Sequence, residues 1–273
     1  MNPLFEGVSI SVRVATKRLL EDICLSFDAG RTVALIGPNG AGKSTLLRVL
    51  SGELKPQLGD VRLQGRRLAS YPAQVLALHR AVLSQQVNIA FPFTVADIAR
   101  MGVNHQRGSK IEALIDATLA ELDLDGLANR VITTLSGGEQ QRVHFARVLV
   151  QLAYGQDHDG CGILLLDEPT ANLDLRHQIG MLEAARRRAE RGALVIAVFH
   201  DLNLAALFAD HIVVLDRGRI DCSGRPDEII TDEMLERVFG IETTVGRTTP
   251  GGGPFVLPQA MTLARRPSAG TCR

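Results

Sequence analysis

No charge of either sign is left over in the 273 residues: 30 Lys and Arg balance 30 Asp and Glu. The overall charge therefore gives no reason to bind nucleic acid or an anionic membrane. Long apolar runs are missing too. None approaches the ~18 residues of a membrane helix, and the best stretches, 162–166 and 193–199, are interrupted early. The first 14 residues lack the basic start and apolar block of a secretory signal, so export is not expected. Cysteine is scarce and scattered: Cys24, Cys161, Cys222 and Cys272 form no C-x-x-C pair and no metal-ligand spacing. That pattern excludes a disulfide framework and a zinc site and suits reduced thiols in the cytoplasm.

A core is amply provided for, with 45% hydrophobic against 22% charged residues. Such a chain folds, and its length suits about two domains or one domain with an inserted lobe. Residues 8–27 alternate and are β-branched, as two antiparallel strands joined near 15–18 would be. Residues 32–36 form a short apolar run before a glycine-rich turn that continues into apolar residues 45–50, in the order strand, loop, helix. Residues 61–63 and 82–84 read as further strands. Between 86 and 154 the character changes: 94–101, 111–122 and 139–152 carry apolar residues at helical spacing. This predicts a helical subdomain inserted into an α/β core, within one domain spanning 1–245. Residues 163–166 and 194–199 are nearly continuous apolar runs, as strands buried on both faces are. Helices are expected over 175–191 and 232–239, and a hairpin over 213–222 around Arg217-Gly218. The last stretch, 246–273, is rich in Gly and Pro, has no acidic residue and carries four dispersed arginines. It reads as a mobile solvated tail, too weakly basic for a membrane tether.

Gly37-Pro38-Asn39-Gly40-Ala41-Gly42-Lys43-Ser44-Thr45 fits the phosphate-loop pattern G-x-x-x-x-G-K-[ST], placed after a buried strand and before a helix. Its glycines let backbone N–H groups turn toward phosphate oxygens, the helix N-terminus adds positive potential, and Lys43 reaches the terminal phosphates. Ser44 is the expected Mg²⁺ ligand. The apolar strand 163–166 ends in Asp167 and Glu168, which would sit beside the phosphate loop if the two strands were neighbours in a parallel sheet. There Asp167 would hold magnesium and Glu168 would polarise an attacking water. His200 follows the next apolar strand and is either a structural histidine or a third group in the same crevice. Ser136 and Glu139 form an S-x-x-E capping box. Gly137 and Gly138 are not needed for capping, and two glycines at a helix start expose N–H groups to an anion, which makes a second phosphate site.

Gly37 through Thr45, Gln85, Leu135-Ser136-Gly137-Gly138-Glu139, Leu164 through Thr170, Asp174 and His200, in this order and spacing, resemble the ATP-binding-cassette ATPases over about residues 5–240. The resemblance implies an α/β fold: a phosphate-loop nucleotide-binding core with an antiparallel β subdomain and an inserted α-helical subdomain. It makes residues 135–139 the family signature, Gln85 the switch glutamine that ligates the metal and reaches toward the permease, Asp174 the dimer-contact aspartate and His200 the γ-phosphate sensor. It implies ATP and Mg²⁺ as ligands and a head-to-tail homodimer in which the phosphate loop of one copy faces Ser136, Gly137 and Gly138 of the other. The family usually stacks an aromatic ring on adenine near the first hairpin. Here that slot falls at Arg13 or Val14, which predicts weaker selection between bases.

Residues 90–95, 80–83 and 200–206 are similar to those of the importers of iron complexes, cobalamin and haem, and most to bacterial haem import ATPases, which share the polar insertion 155–160. This resemblance implies two membrane permease subunits and, through them, a periplasmic haem-binding protein, with the chain peripheral on the cytoplasmic face of the inner membrane and no nucleic-acid partner. Ferric siderophore and cobalamin remain alternative cargoes. Phe91 and Phe93 fit either a groove that receives the permease or plain core packing. A DNA-repair cassette would need a coiled-coil insertion, which 86–154 lacks; a translation-associated cassette protein would carry two phosphate loops.

Overall fold

The computed structural model describes residues 3–85, 91–103, 106–159, 162–247 and 253–263. In chain order the elements are β1 (Phe5–Val14), β2 (Lys17–Phe27), β3 (Thr32–Ile36), α1 (Lys43–Leu50), β4 (Leu58–Leu63), β5 (Arg66–Arg67), α2 (Ala73–His79) and β6 (Arg80–Leu83). Next come α3 (Val95–Met101), α4 (Ser109–Glu121), α5 (Gly137–Asp159), β7 (Ile163–Asp167), α6 (Leu175–Glu190), β8 (Leu194–Val198), α7 (Leu202–Phe208), β9 (His211–Asp216) and β10 (Arg219–Gly224). The chain closes with α8 (Pro226–Ile229), α9 (Asp232–Met234), a π turn at Leu235–Phe239, and the short strands β11 (Ile241–Glu242), β12 (Gly246–Arg247), β13 (Pro254–Phe255) and β14 (Thr262–Leu263).

Two sheets carry the molecule. One is antiparallel, in the order β2-β1-β4-β5; the other runs β10-β9-β3-β8-β7-β6 and is parallel except for the β9–β10 hairpin. Strands β3, β7 and β8 are buried at every position, and apolar apart from Thr32 and Asp167 at their ends, because each face of the larger sheet has its own core. Val33, Leu35, Ile163, Leu165, Leu194, Ile196 and Val198 join α1 and the antiparallel sheet in one cluster. Ala34, Ile36, Leu164, Leu166, Val195 and Ala197 point the other way, into a cluster with the helices. Alternation along a strand thus sorts residues between two cores rather than between core and water.

The inserted helices form where expected. Thr94 caps α3, with its side chain and that of Asp97 each accepting the other's backbone N–H. Helix α5 is the axis of the subdomain, burying Val143, Phe145, Ala146, Val148, Leu149, Val150 and Leu152. It runs seven residues past the expected end, through the polar stretch at 155–159; Gly160 lies outside the described residues. Gly155 is where α5 meets α2: a Cβ there would stand 1.8 Å from the carbonyl oxygen of Leu78. The contact needs bare backbone.

Two expectations need correction. Strands β3 and β7 are not neighbours, because β8 lies between them. The C-terminal stretch, where described, is not a solvated tail: Pro254 is buried, Val256 is 1% exposed and joins the helix-side core, and Met261 packs against it. Residues 248–252 and 264–273, which include Cys272, lie outside the described residues, as does Cys161. Cys24 and Cys222 are free thiols. No helix among the described residues is long and apolar enough to cross a membrane.

Candidate functional site

The phosphate loop leaves the end of β3 and enters α1, the order that aims backbone N–H groups and a helix N-terminus at one point. Gly37, with φ +146°, has no room for a side chain; a Cβ would lie 2.1 Å from the carbonyl oxygen of Leu215. Ala41 N–H donates to Pro38 O, and the Ala41 carbonyl accepts from Gly218 N–H at the tip of the β9–β10 hairpin, which braces the turn from outside. Asn39 and Gly40 stand exposed at its crest, Gly42 is the N-cap of α1 and Thr45 lies in its first turn. Lys43 is buried, and its Nζ donates to the carbonyls of Gly37 at 2.7 Å and Pro38 at 3.0 Å. Burial pulls its pKa down, opposed by the charges of Glu168 and Asp167.

Although β8 separates β3 from β7, the site closes, because α1 leans over the sheet. Ser44 Oγ donates to Asp167 Oδ1 at 3.1 Å. The Asp167 carboxyl is buried; desolvation raises its pKa, the Ser44 hydrogen bond opposes that, and the neighbouring Glu168 adds to it. A carboxylate in this setting gains from a cation placed against it. Magnesium commonly takes one or two protein oxygens and completes its shell with phosphate and water, so a hydroxyl and a carboxylate in contact at a phosphate loop fit it. Among the described residues no group of three or more His, Cys, Asp and Glu could hold a metal without such help.

Glu168 has φ +52°, a left-handed conformation uncommon outside glycine and costing on the order of 1–3 kcal/mol. Two partners fix its carboxylate: His200 Nε2 donates to Oε1 at 2.6 Å and Gln85 Nε2 to Oε2 at 2.9 Å. Gln85 lies two residues beyond β6, Glu168 follows β7 and His200 lies two residues beyond β8, so three adjacent strands deliver one side chain each to the same edge. The sequence placed Glu168 and His200 at strand ends and the family resemblance supplied Gln85; the structure brings the three together.

Ser136 and Glu139 make the expected capping box, with Ser136 N–H donating to Glu139 Oε2 at 2.7 Å and Glu139 N–H to Ser136 Oγ at 3.3 Å. Gly137 is open, and Gly138 packs on the loop before α6, where a Cβ would lie 3.2 Å from Leu173 and 3.3 Å from Asn172 O. Beside them is a recess of about 560 Å³ lined by Ser136, Gly137, Gly138, Arg142, Asn172, Asp174 and His177, with no residue of the phosphate loop among its walls. Asp174 is the N-cap of α6: it accepts from His177 N–H at 3.0 Å and His177 Nδ1 at 2.8 Å, and these bonds hold its pKa down. His177 is a participant that sequence reasoning missed. The sequence signal reached only Asp174, since an Asp before a helix start reads as an N-cap whatever residue lies three on.

The exposed Phe91 and half-buried Phe93 take different roles. Phe93 packs on the core and Phe91 is 69% exposed, with ring centroids 6.1 Å apart. Residues 86–90, part of the stretch expected to face the permease, lie outside the described residues. At the slot where the family resemblance places adenine, Val14 is 58% exposed at the β1–β2 hairpin, paired with Lys17, and Arg13 pairs with Arg18. Gln57 holds Arg13 by its backbone, accepting from its N–H at 2.8 Å and donating to its carbonyl at 3.0 Å.

The ABC transporter family model matches residues 20–171. The chain is 50% identical over 270 residues to the hemin import ATP-binding protein HmuV of Rhodopseudomonas palustris strain BisB18, covering 99% of this chain and all of that one. It is 50% identical over 264 residues to the protein of the same name from Bradyrhizobium diazoefficiens, covering 97% and 98%. Among solved structures, the ATP binding subunit of an ABC transporter superposes with a TM-score of 0.73 at 26% identity, over 83% of this chain and 91% of that one.

Proposed function

The chain belongs to the ABC transporter family, and from that membership we propose that it is the ATP-hydrolysing subunit of a bacterial haem importer. It would act as a homodimer, peripheral on the cytoplasmic face of the inner membrane, bound to two permease subunits that receive haem from a periplasmic binding protein. The observation that carries this reading is the 50% identity to a hemin import ATP-binding protein over nearly the whole of both chains.

ATP lies with its β- and γ-phosphates in the loop from Gly37 to Thr45, where Lys43 exchanges the carbonyls of Gly37 and Pro38 for γ-phosphate oxygens. Magnesium would be held by Ser44 and Asp167, with the amide oxygen of Gln85 as a further ligand; when bound it neutralises charge on the phosphate oxygens. Glu168, oriented by His200 and Gln85, accepts the proton of the water that attacks the γ-phosphorus, and His200 then faces the γ-phosphate oxygens. Because the recess at Ser136, Gly137 and Gly138 excludes the phosphate loop of its own chain, a second copy supplies these N–H groups, with Asp174 at the contact. Release of phosphate removes the charge that bridges the two copies, and the dimer opens.

Two results bear on the parts. With no ring at Arg13 or Val14, kcat/KM for GTP is expected within about threefold of that for ATP, since packing on an aliphatic or guanidinium surface discriminates weakly. A hundredfold ATP preference in steady-state hydrolysis would refute it. Phe91→Ala is expected to weaken co-purification with the permease at least about tenfold, as removal of an exposed interface aromatic does, while hydrolysis by the free subunit persists; intact assembly would return Phe91 to an ordinary surface role.

The test of the whole reading is ATP-driven uptake into vesicles holding this subunit with its permease and binding protein, offered haem, cobalamin and a ferric siderophore. Haem alone should accumulate. Uptake of either other compound in its place would keep the ATPase mechanism and replace the cargo.

A further inference from the structure

The C-terminal segment is wired into the helix that follows His200. After β8, Phe199 is buried, His200 turns outward to Glu168, and Asp201 caps α7, its Oδ1 accepting from the backbone N–H groups of Asn203 at 2.7 Å and Leu204 at 3.1 Å. Asn203 then spends its whole side chain on one distant residue. Its Nδ2 donates to the carbonyl of Val256 at 3.1 Å, and its Oδ1 accepts from Val256 N–H at 2.8 Å. The amide pairs with the segment as the peptide of a neighbouring strand would. Val256 sits in the same apolar cluster as Phe199, Leu204 and Phe208, so its main-chain groups have little recourse to water and depend on this partner.

The segment arrives already shaped. Strand β11 pairs with β14 and β12 with β13, closing a return loop from Ile241 to Leu263. Gly246 lies against the ring of Phe255, where a Cβ would be 2.2 Å from it, and Val245 N–H donates to Asp232 Oδ1 at 2.6 Å. At the other end, the Phe199 and Phe208 rings, 5.3 Å apart, tie both ends of α7 to the core.

We propose that residues 253–263 are a strap that sets the position of His200, and that Asn203 is the positioning residue through which the strap acts. Asn203 is the third residue after His200, and the intervening Asp201 is bonded to Asn203 itself, so a shift of α7 along the strap moves the end of β8. Among the described residues no hydrogen bond links 254–263 to the phosphate loop. Loss of the strap therefore alters the step that uses His200 and leaves the binding of ATP alone. This rests on the role given to His200 above.

The test is steady-state and single-turnover ATP hydrolysis by the full-length chain with magnesium, comparing Asn203→Ala, Asn203→Asp, His200→Ala and the double variant Asn203→Ala/His200→Ala. Asn203→Asp keeps the acceptor for Val256 N–H and sets a carboxylate against the Val256 carbonyl. Asn203 is exposed, and matching thermal midpoints check that the fold is kept. Both Asn203 variants should lose about tenfold in kcat with KM for ATP held within about twofold, the pattern of an interaction lost from the reacting state alone. Asn203→Ala should cost nothing further once His200 is gone. The proposal is overturned if Asn203→Ala keeps the parent kcat, if KM rises while kcat holds, or if the two losses multiply. Inactive His200→Ala beside fully active Asn203→Ala removes the strap alone; fully active His200→Ala removes the role of His200 and the strap with it.

Discussion

Glu168→Gln is expected to lower ATP turnover by about 10²–10⁴-fold, the range over which a positioned proton acceptor contributes, while KM for ATP stays nearly unchanged. Glutamine preserves the shape of the group and its acceptor toward His200 Nε2, now 2.6 Å from Oε1. Its new amide nitrogen faces the nitrogen of Gln85, now donating at 2.9 Å, and a flip of the Gln85 amide relieves that clash. Only the ability to take a proton is lost. ATP then stays bound, and the two copies it bridges stay together, so gel filtration with ATP and magnesium should show a dimer. Asp167→Asn provides the contrast, because Asp167 contacts Ser44 and its loss should raise KM as well. A Glu168→Gln variant that is monomeric with ATP and within threefold of the parent rate would falsify the role assigned to Glu168.

The second large effect concerns stability. Glu121 at the end of α4 accepts from Arg188 of α6 at 3.1 and 2.6 Å and from Arg187 at 2.9 Å. The Arg188 side chain is only 5% exposed. This cluster is where the helical insertion meets the nucleotide-binding core. Glu121→Ala strands a buried guanidinium and is expected to cost about 3–5 kcal/mol of unfolding free energy in urea melts, whereas Glu121→Leu with Arg188→Met recovers most of it. Burial pushes the Glu121 pKa up, but hydrogen bonds and charge from the two arginines outweigh it and leave the value below the ordinary one. A depressed carboxylate stabilises fully above the ordinary glutamate range and loses that contribution as pH falls through the folded value. The gap between parent and Glu121→Gln should therefore be full near neutrality and shrink only below about pH 4. A gap that stays constant down to pH 2 would mean the pair contributes packing and no charge.

The parallel strands were legible because both their faces are apolar, and the carboxylates Asp167 and Glu168 because a strand that ends in charge announces its own exit. The β9–β10 hairpin showed in Arg217-Gly218, and the signature helix in its capping box. Helix α2 did not show: it is seven residues long, follows Pro72 with no side-chain cap, and buries only Leu76. The position of β8 between β3 and β7 is a property of the sheet that no local pattern encodes. The strap was misread for a similar reason. Its anchorage is one valine and the backbone around it, and composition rich in glycine and proline says nothing of a partner some fifty residues away. Within the site, strand ends gave Glu168 and His200 and the family resemblance gave Gln85, but that Glu168 holds both of the others is geometry alone.

The strand order also sets a timetable for synthesis. Strand β3, which carries the phosphate loop, pairs with β8 and β9 and with nothing earlier in the chain. A ribosome that has finished the loop must go on to Val195 and then to Ile212 before either neighbour exists. At about 5–20 residues per second, that is roughly ten to thirty seconds in which β3 has no sheet to join. Helices α3, α4 and α5 pack on one another and, through α5, on α2 and β6, and all of these are complete within that interval. The nascent chain thus builds its insertion before the larger sheet that houses it is complete, and ATP is not expected to act as a folding ligand until β8 and β9 have been made.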